Sequence, residues 1–390
     1  MKKKIIFVTR ALWIGGIETA LVNLINRLDS QKYDITCLIL QDEKPMAKRL
    51  PEHCRLLVAD REHTVSFGEK YRYSHLFHLA EEPENPSRLH RAMIWLAPAV
   101  KWIENRLYIC YVRKQLRSEH FDTCIIYSDV AAETAIRGVK AEKYLMFYHH
   151  GAMRRVYHDE IGYKRSERII TVSNHQAEKL RAFRPEYANK IVAVHNLVDV
   201  ERIREKGMET KPESFSPEQF HIVSCGRVSR EKGMDLAVEA CARLVAVGFE
   251  HIHWWIVGGG PAEGEVREKI TQLGMEQYVT MLGMKENPYP YIAAADLYVQ
   301  PSRFEGYPLS ILEALILGKP VVSTDNGGAG EILKPGITGV LCLISPEGIA
   351  EAVETLLSHP EDVEQLRENV RSRDPDEENC VAIRQLEDYL

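Results

Sequence analysis

LYVQPSRFEGYPLSILEALILGKPVVS, residues 297 to 323, reads as one complete β-α-β unit. Leu297 to Gln300 is a short run of strand type, and Val321 to Ser323 is another. Between them, Leu309 to Leu317 has the apolar spacing of a helix, introduced by Pro308, a residue suited to a first helical turn. Gly318, Lys319 and Pro320 lead into the second strand. Glu305 then falls just before the helix and Glu313 inside it, with seven residues between them. Gly306 lets the backbone approach a ligand closely. The amides of Tyr307, Leu309 and Ser310 would make an anion-binding helix N-terminus. Carboxylates that accept from hydroxyls, beside amides that hold phosphate, suit a diphosphate flanked by two polyol sugars. Two glutamates at this spacing on any surface helix would look alike, so the β-α-β setting is what makes the signal specific.

Outward from this unit the alternation continues. Ile222 to Cys225, Trp254 to Val257 and Val279 to Leu282 precede it and Val340 to Leu343 follows, with helices such as Asp235 to Val245 between. The first half repeats the theme with Lys4 to Val8, Ile35 to Leu40, Cys124 to Tyr127, Leu145 to Tyr148, Ile169 to Val172 and Ile191 to Val194. Short continuous apolar runs mark strands covered on both faces, hence a mainly parallel α/β sheet. The strand pattern breaks at Asn196 to Asp199, and charged, helix-like residues followed by polar, Pro- and Ser-rich ones up to Ser216, Pro217 and Glu218 read as a linker. The expected architecture is two Rossmann-like, doubly wound domains facing across a cleft, residues 1–198 and 199–374. A last helix, about 375–390, is free to pack back on the first domain. Ligands bind such sheets at the carboxyl ends of the strands.

Other loops at strand ends join the candidate site. Gly226, Arg227 and Lys232 follow the first strand of the second domain, and two fixed cations there would neutralise a departing diphosphate without a metal. Gly258 opens a second glycine turn, and Gly283 with Met284 ends a third strand near where a base edge would lie. In the first domain, Gly15 and Gly16 open a helix but lack GxGxxG spacing, which disfavours a dinucleotide site. His149 and His150 end another strand before Gly151, and the residues leave open which of the two faces the cleft.

The 390 residues suit two domains. A net charge of -6 argues against nucleic acid as a partner. Eight scattered cysteines without a CxxC pair read as buried thiols of a reducing compartment, and clustered zinc ligands are lacking. Lys2 to Lys4 resemble the start of a signal peptide, but the apolar run behind them, Ile5 to Val8, is too short for export. No run approaches the roughly 18–20 apolar residues of a spanning helix, so a cytoplasmic location is expected. Trp102, Arg113 and Lys114 lie in a basic, amphipathic stretch that reads either as helices packed on the sheet or as a surface for anionic lipid.

Taken together, CGRVSREKG, IVGGGP, LGMKENPYPYIAAADLYVQPSRFEGYPLSILEAL, GKPVVSTD and GITG resemble the retaining GT-B glycosyltransferases of family 4, or glycosyl transferases group 1. The likeness extends to the glycine pair before Glu18, to His150-Gly151 and to His195 through Asp199, where Leu197 replaces the commoner Gly. It implies that Glu313 binds ribose hydroxyls, Glu305 the donor sugar, Arg227 and Lys232 the diphosphate, Gly16 the phosphates, and His150 the donor side of the cleft. It implies transfer of a hexose or N-acetylhexosamine from a nucleotide sugar to a glycan or polyprenyl-linked acceptor, with no cofactor or metal. UDP is the favoured nucleotide, because the motif segments resemble bacterial capsule and exopolysaccharide enzymes; GDP-mannose is the alternative. Peripheral contact with the inner membrane face would fit a lipid-linked acceptor. An epimerase, a phosphorylase, a nicotinamide dehydrogenase and a non-catalytic nucleotide-sugar-binding protein are the competing classes.

Overall fold

The computed structural model describes residues 2–59, 102–103, 105–149, 160–209, 212 and 215–390. Its first sheet holds β1 (Lys3–Thr9), β2 (Tyr33–Ile39), β3 (Cys54–Val58), β4 (Phe121–Ile126), β5 (Ala141–Tyr148), β6 (Arg168–Thr171) and β7 (Ile191–Ala193). The order is β3-β2-β1-β4-β5-β6-β7, and every strand pair is parallel. A second parallel sheet holds β8 (Phe220–Cys225), β9 (Ile252–Val257), β10 (Val279–Gly283), β11 (Leu297–Gln300), β12 (Val321–Thr324) and β13 (Gly339–Cys342). Its order is β10-β9-β8-β11-β12-β13. Each sheet therefore reverses direction of winding once, between β1 and β4 and between β8 and β11, which is where doubly wound sheets open a crevice.

The apolar runs explain the parallel sheets. Side chains alternate across a strand, and in β1 Ile5 and Phe7 enter one apolar layer while Ile6 and Val8 enter the opposite one. The same holds in β9, where Trp254 and Ile256 face one side and Trp255 and Val257 the other. Both faces of each sheet are covered by helices, so every strand must be apolar on both sides.

Two details differ from the reading of the sequence. Cys54–Val58 forms an edge strand, although its sequence mixes Arg55 into a short run and gave no clear period. Pro308 is the N-cap, not part of the first turn, and the helix is Leu309–Ile316. Within the linker the charged residues form the helix Val200–Gly207, capped by Asp199, whose side chain accepts from the Arg202 amide.

The chain crosses between the sheets twice. After β13 come the helices Pro346–Ser358 and Pro360–Ser372, and then Glu377–Glu387 returns to the first sheet. Ala382, Leu386 and Leu390 are buried there with Leu21, Ile25 and Ile35. Asn379 fastens the return: its Oδ1 accepts from the Val198 amide at 3.0 Å and its Nδ2 donates to the Val198 carbonyl at 2.9 Å. No helix among the described residues is long and apolar enough to cross a membrane.

Candidate active site

Glu305 follows β11, and the fold holds it from below. Gln300, buried at the end of β11, donates through Nε2 to Glu305 Oε1 at 3.0 Å and to Ser302 Oγ at 2.7 Å. Ser302 Oγ in turn donates to Glu305 Oε1 at 2.7 Å. The other end of the Gln300 amide accepts from the Tyr298 hydroxyl at 2.7 Å and from Ser310 at 2.9 Å. Every polar atom of that buried amide is thus satisfied, which rigidifies it. Lys232, arriving from the loop after β8, places Nζ 2.7 Å from Oε1 and 2.8 Å from Oε2 of Glu305. Oε1 therefore carries three partners and Oε2 one among the described residues. Oε2 is the oxygen left with room for a ligand hydroxyl.

The two loops are tied together elsewhere. The Arg303 amide donates to the Glu231 carbonyl at 2.7 Å, and the Arg303 guanidinium grips Asp235 with two bonds of 2.8 and 2.7 Å. Such a planar, two-bonded pair fixes orientation as well as distance. Arg227 is exposed on the same loop, and its charge is felt across the cleft by Glu18, whose carboxyl is raised mainly by burial. Gly16, the first residue of helix Gly16–Arg27, is exposed on that facing side.

Glu313 lies one helix further in and accepts from the Tyr289 hydroxyl at 3.0 Å. Burial pushes the Glu313 carboxyl up to about 7, against the opposing pull of Tyr289 and of the Arg49 charge. The strand ends β8, β9 and β10 meet through glycine. The Gly226 amide donates to the Val257 carbonyl at 3.0 Å, and the Gly258 amide to the Gly283 carbonyl at 2.9 Å. Gly258 has φ 145°, and a Cβ there would run into the Gly226 carbonyl, so no other residue fits this backbone approach. Met284 stands exposed beside this floor.

Gly306 and Tyr307 face the first domain. A Cβ on Gly306 would come within 3.3 Å of Val172 and Gln176 and 3.7 Å of the His149 carbonyl. The end of β5 therefore reaches the loop that bears Glu305. His149 stacks its ring on Phe147, 5.6 Å between centroids, and tilts against Tyr127 at 4.6 Å. His150 lies outside the described residues. Pro308 caps the helix after Glu305, and Leu309 and Ser310 are its first two residues.

The Glycosyltransferase Family 4 model matches residues 14–202, and the Glycosyl transferases group 1 model matches residues 208–373. The two matches flank a short gap in the linker, residues 203–207, and otherwise leave out only residues 1–13 and 374–390. This chain belongs to the group 1 glycosyltransferases. Its segment of similarity to the alpha-D-kanosaminyltransferase of Streptomyces kanamyceticus is 33% identical over 152 residues, 38% of this chain and 39% of that protein. With the amylovoran biosynthesis glycosyltransferase AmsK of Erwinia amylovora it shares 31% over 174 residues, 40% and 41% of the two chains. The matched segment thus spans about two fifths of these relatives' length. The fold is shared over almost the entire length with HepE of Anabaena, crystallised with UDP and glucose: TM-score 0.72, 99% of both chains covered, 16% identity.

In this glycosyltransferase, several site residues were not legible in advance. Gln300 and Ser302 were read only as the end of a strand, though two polar residues closing a buried strand are a signal that something polar is being held. Tyr289 sits 24 residues before Glu313, a separation that no motif spacing encodes. Glu331, Asn174 and His195 meet from three distant segments, and only the folded chain brings them together.

Proposed function

We propose that the protein is a retaining glycosyltransferase that moves a hexose or N-acetylhexosamine from a UDP-sugar to a glycan or lipid-linked acceptor in cell-surface polysaccharide synthesis. The observation that carries this reading is the Glu305–Lys232 pair, held at the carboxyl end of β11 with Oε2 bonded, among the described residues, to Lys232 alone and able to accept once more. A sugar hydroxyl would bind that oxygen while Lys232, Arg227 and the amides of Tyr307, Leu309 and Ser310 face the diphosphate. These charges would do the work for which a metal is otherwise recruited. Glu313 would accept from the ribose, and Gly226, Gly258, Gly283 and Met284 would border the nucleotide. In the reaction the bond from the anomeric carbon to the β-phosphate oxygen breaks. The acceptor oxygen bonds to that carbon on the same face, and its proton passes to the departing phosphate.

The similarity to AmsK supports an acceptor of the polysaccharide class, and the shared fold with the UDP-bound HepE supports the nucleotide. Calorimetry with UDP and with GDP, in EDTA, on the wild type and on Glu313→Ala tests all of this. UDP binding that survives EDTA and is lost in the variant is expected. Preference for GDP would change the donor to a mannose type and keep the transferase. Binding of neither would remove the reading, and binding without any donor consumption would leave a nucleotide-sugar-binding protein.

A further inference from the structure

The helix Asn174–Phe183 belongs to the first domain, yet its N-terminus is completed by the second. Ser173 accepts from the Gln176 amide at 3.1 Å, which leaves the Asn174 and His175 amides as the remaining first-turn donors. Both are taken by Glu331, from the turn Ala329–Glu331 after β12: Asn174 N at 2.8 Å and His175 N at 2.5 Å. The Asn174 side chain adds a bond of 3.1 Å to the same carboxylate. His195, at the chain's exit from the first sheet, adds another at 3.0 Å through Nε2. A carboxylate at a helix N-terminus is favourable on charge grounds as well as through its hydrogen bonds. Although burial opposes its charge, the His195 ring and these amides hold the Glu331 carboxyl down at about 2.

The contact continues into the candidate active site. His195 stacks face to face on Tyr307, with centroids 4.6 Å apart and planes at 16°. Tyr307 is 6% exposed and follows Glu305 and Gly306 directly. Nearby, Glu305 bridges Gly327, and a Cβ on Gly327 would overlap the His175 ring. From Glu331 through His195 and Tyr307, one packed path thus runs from the domain contact to the residue that faces the donor.

We propose that Glu331 is a positioning residue: by closing the N-terminus of helix Asn174–Phe183 and holding His195 on Tyr307, it sets the loop of Glu305 against the first domain. The part that concerns turnover rests on the transferase reading above. Glu331 touches no reacting atom in this scheme. Its loss leaves the nucleotide groups of the second domain in place and misplaces the loop relative to the facing domain, where displacements of about 1 Å cost up to about a hundredfold in rate.

The test compares wild type with Glu331→Gln, which keeps the volume, and Glu331→Ala. Hydrogen exchange followed by mass spectrometry should show residues 172–177 exchanging at least about tenfold faster in both variants. UDP affinity should stay within about threefold. With the nucleotide sugar that the wild type consumes, kcat should fall by about tenfold to a hundredfold with the donor KM within about threefold. A residue that merely stabilises the fold would lower the melting temperature and leave kcat per folded molecule unchanged. Unchanged exchange at 172–177, or unchanged kcat, overturns the proposal. Loss of UDP affinity in step with kcat also overturns it, by making Glu331 part of the donor pocket. A wild type that binds no UDP would count against the transferase reading alone, and the exchange experiment would still decide whether Glu331 holds the domains.

Discussion

Glu313 has a carboxyl pushed up to about 7, so in the empty protein it is close to half protonated at neutral pH. The same burial, and the charge of Glu313 itself, push the Tyr289 phenol up and keep it a donor. Ribose hydroxyls that donate to Glu313 would favour its carboxylate, so nucleotide binding should release a proton. The sign follows from linkage: a ligand that prefers the deprotonated form binds more tightly as pH rises through the free protein's pKa. UDP affinity should therefore rise as pH climbs toward about 7, by at most about tenfold per pH unit, and level off above it. Calorimetry in two buffers of different ionisation heat measures the released proton directly, and Glu313→Gln should abolish it. A flat profile in the wild type would take Glu313 out of the ribose site. At this scale the residue types were readable, because Glu305 and Lys232 stand in loops, and Glu313 in a helix, whose places the strand pattern determines. Their hydrogen-bond partners, Gln300, Ser302 and Tyr289, were not, because a polar residue near the end of a strand or the start of a helix shows no partner until the chain has folded.

At the scale of elements, the helix Glu377–Glu387 supports a sheet that lies almost the whole chain away in sequence. Leu386 is fully buried among first-domain residues, and Lys3 donates to the Leu390 carbonyl at 3.1 Å. Truncating a side chain in such a site costs about 2–5 kcal/mol. Leu386→Ala should lower the urea midpoint of unfolding accordingly, while UDP affinity, which draws on the second sheet, stays within about threefold. An unchanged midpoint would mean that this helix does not support the first sheet. Its helical character was readable from spacing. Packing back on the first domain was open to it in the sequence, but the particular groove was not readable, since an amphipathic helix fits any apolar groove of suitable width.

For the whole molecule, the helical stretch over 105–115 offers the first domain's outer contact. Tyr108 and Val112 are buried in the cluster under the sheet, Ile109 is buried beside them, and Arg113 donates to the Arg137 carbonyl at 2.8 Å. Trp102, Ile103 and Leu107 are exposed at the near end, and Lys114 points outward from the helix as an exposed residue. One face of the stretch is packed and one end is open. If that end meets lipid, replacing Trp102, Arg113 and Lys114 together with alanine should weaken binding to vesicles of anionic phospholipid. Basic residues contribute about 1 kcal/mol each there, so the loss should be on the order of tenfold or more. Unchanged sedimentation with vesicles would remove the membrane contact from the proposal. The remainder of the stretch between Asp60 and Trp102 lies outside the described residues.

The sequence by itself determined the two parallel sheets, the edge of each sheet to which the candidate site was assigned, and which charged groups stand in the loops there. Those follow from local physics: strands apolar on both faces need helices between them, and loops at their carboxyl ends then share one edge. Only the tertiary structure decided which of those groups meet. Lys232 lies on Glu305 and Arg227 stands exposed, a difference that depends on how two loops from separate strands are tied. Glu331 closes a helix of the other domain, and Asn379 ties the last helix to the crossing at Val198. Contacts between segments 73 to 181 residues apart leave no period or spacing behind, because what selects them is the packing of finished elements against one another.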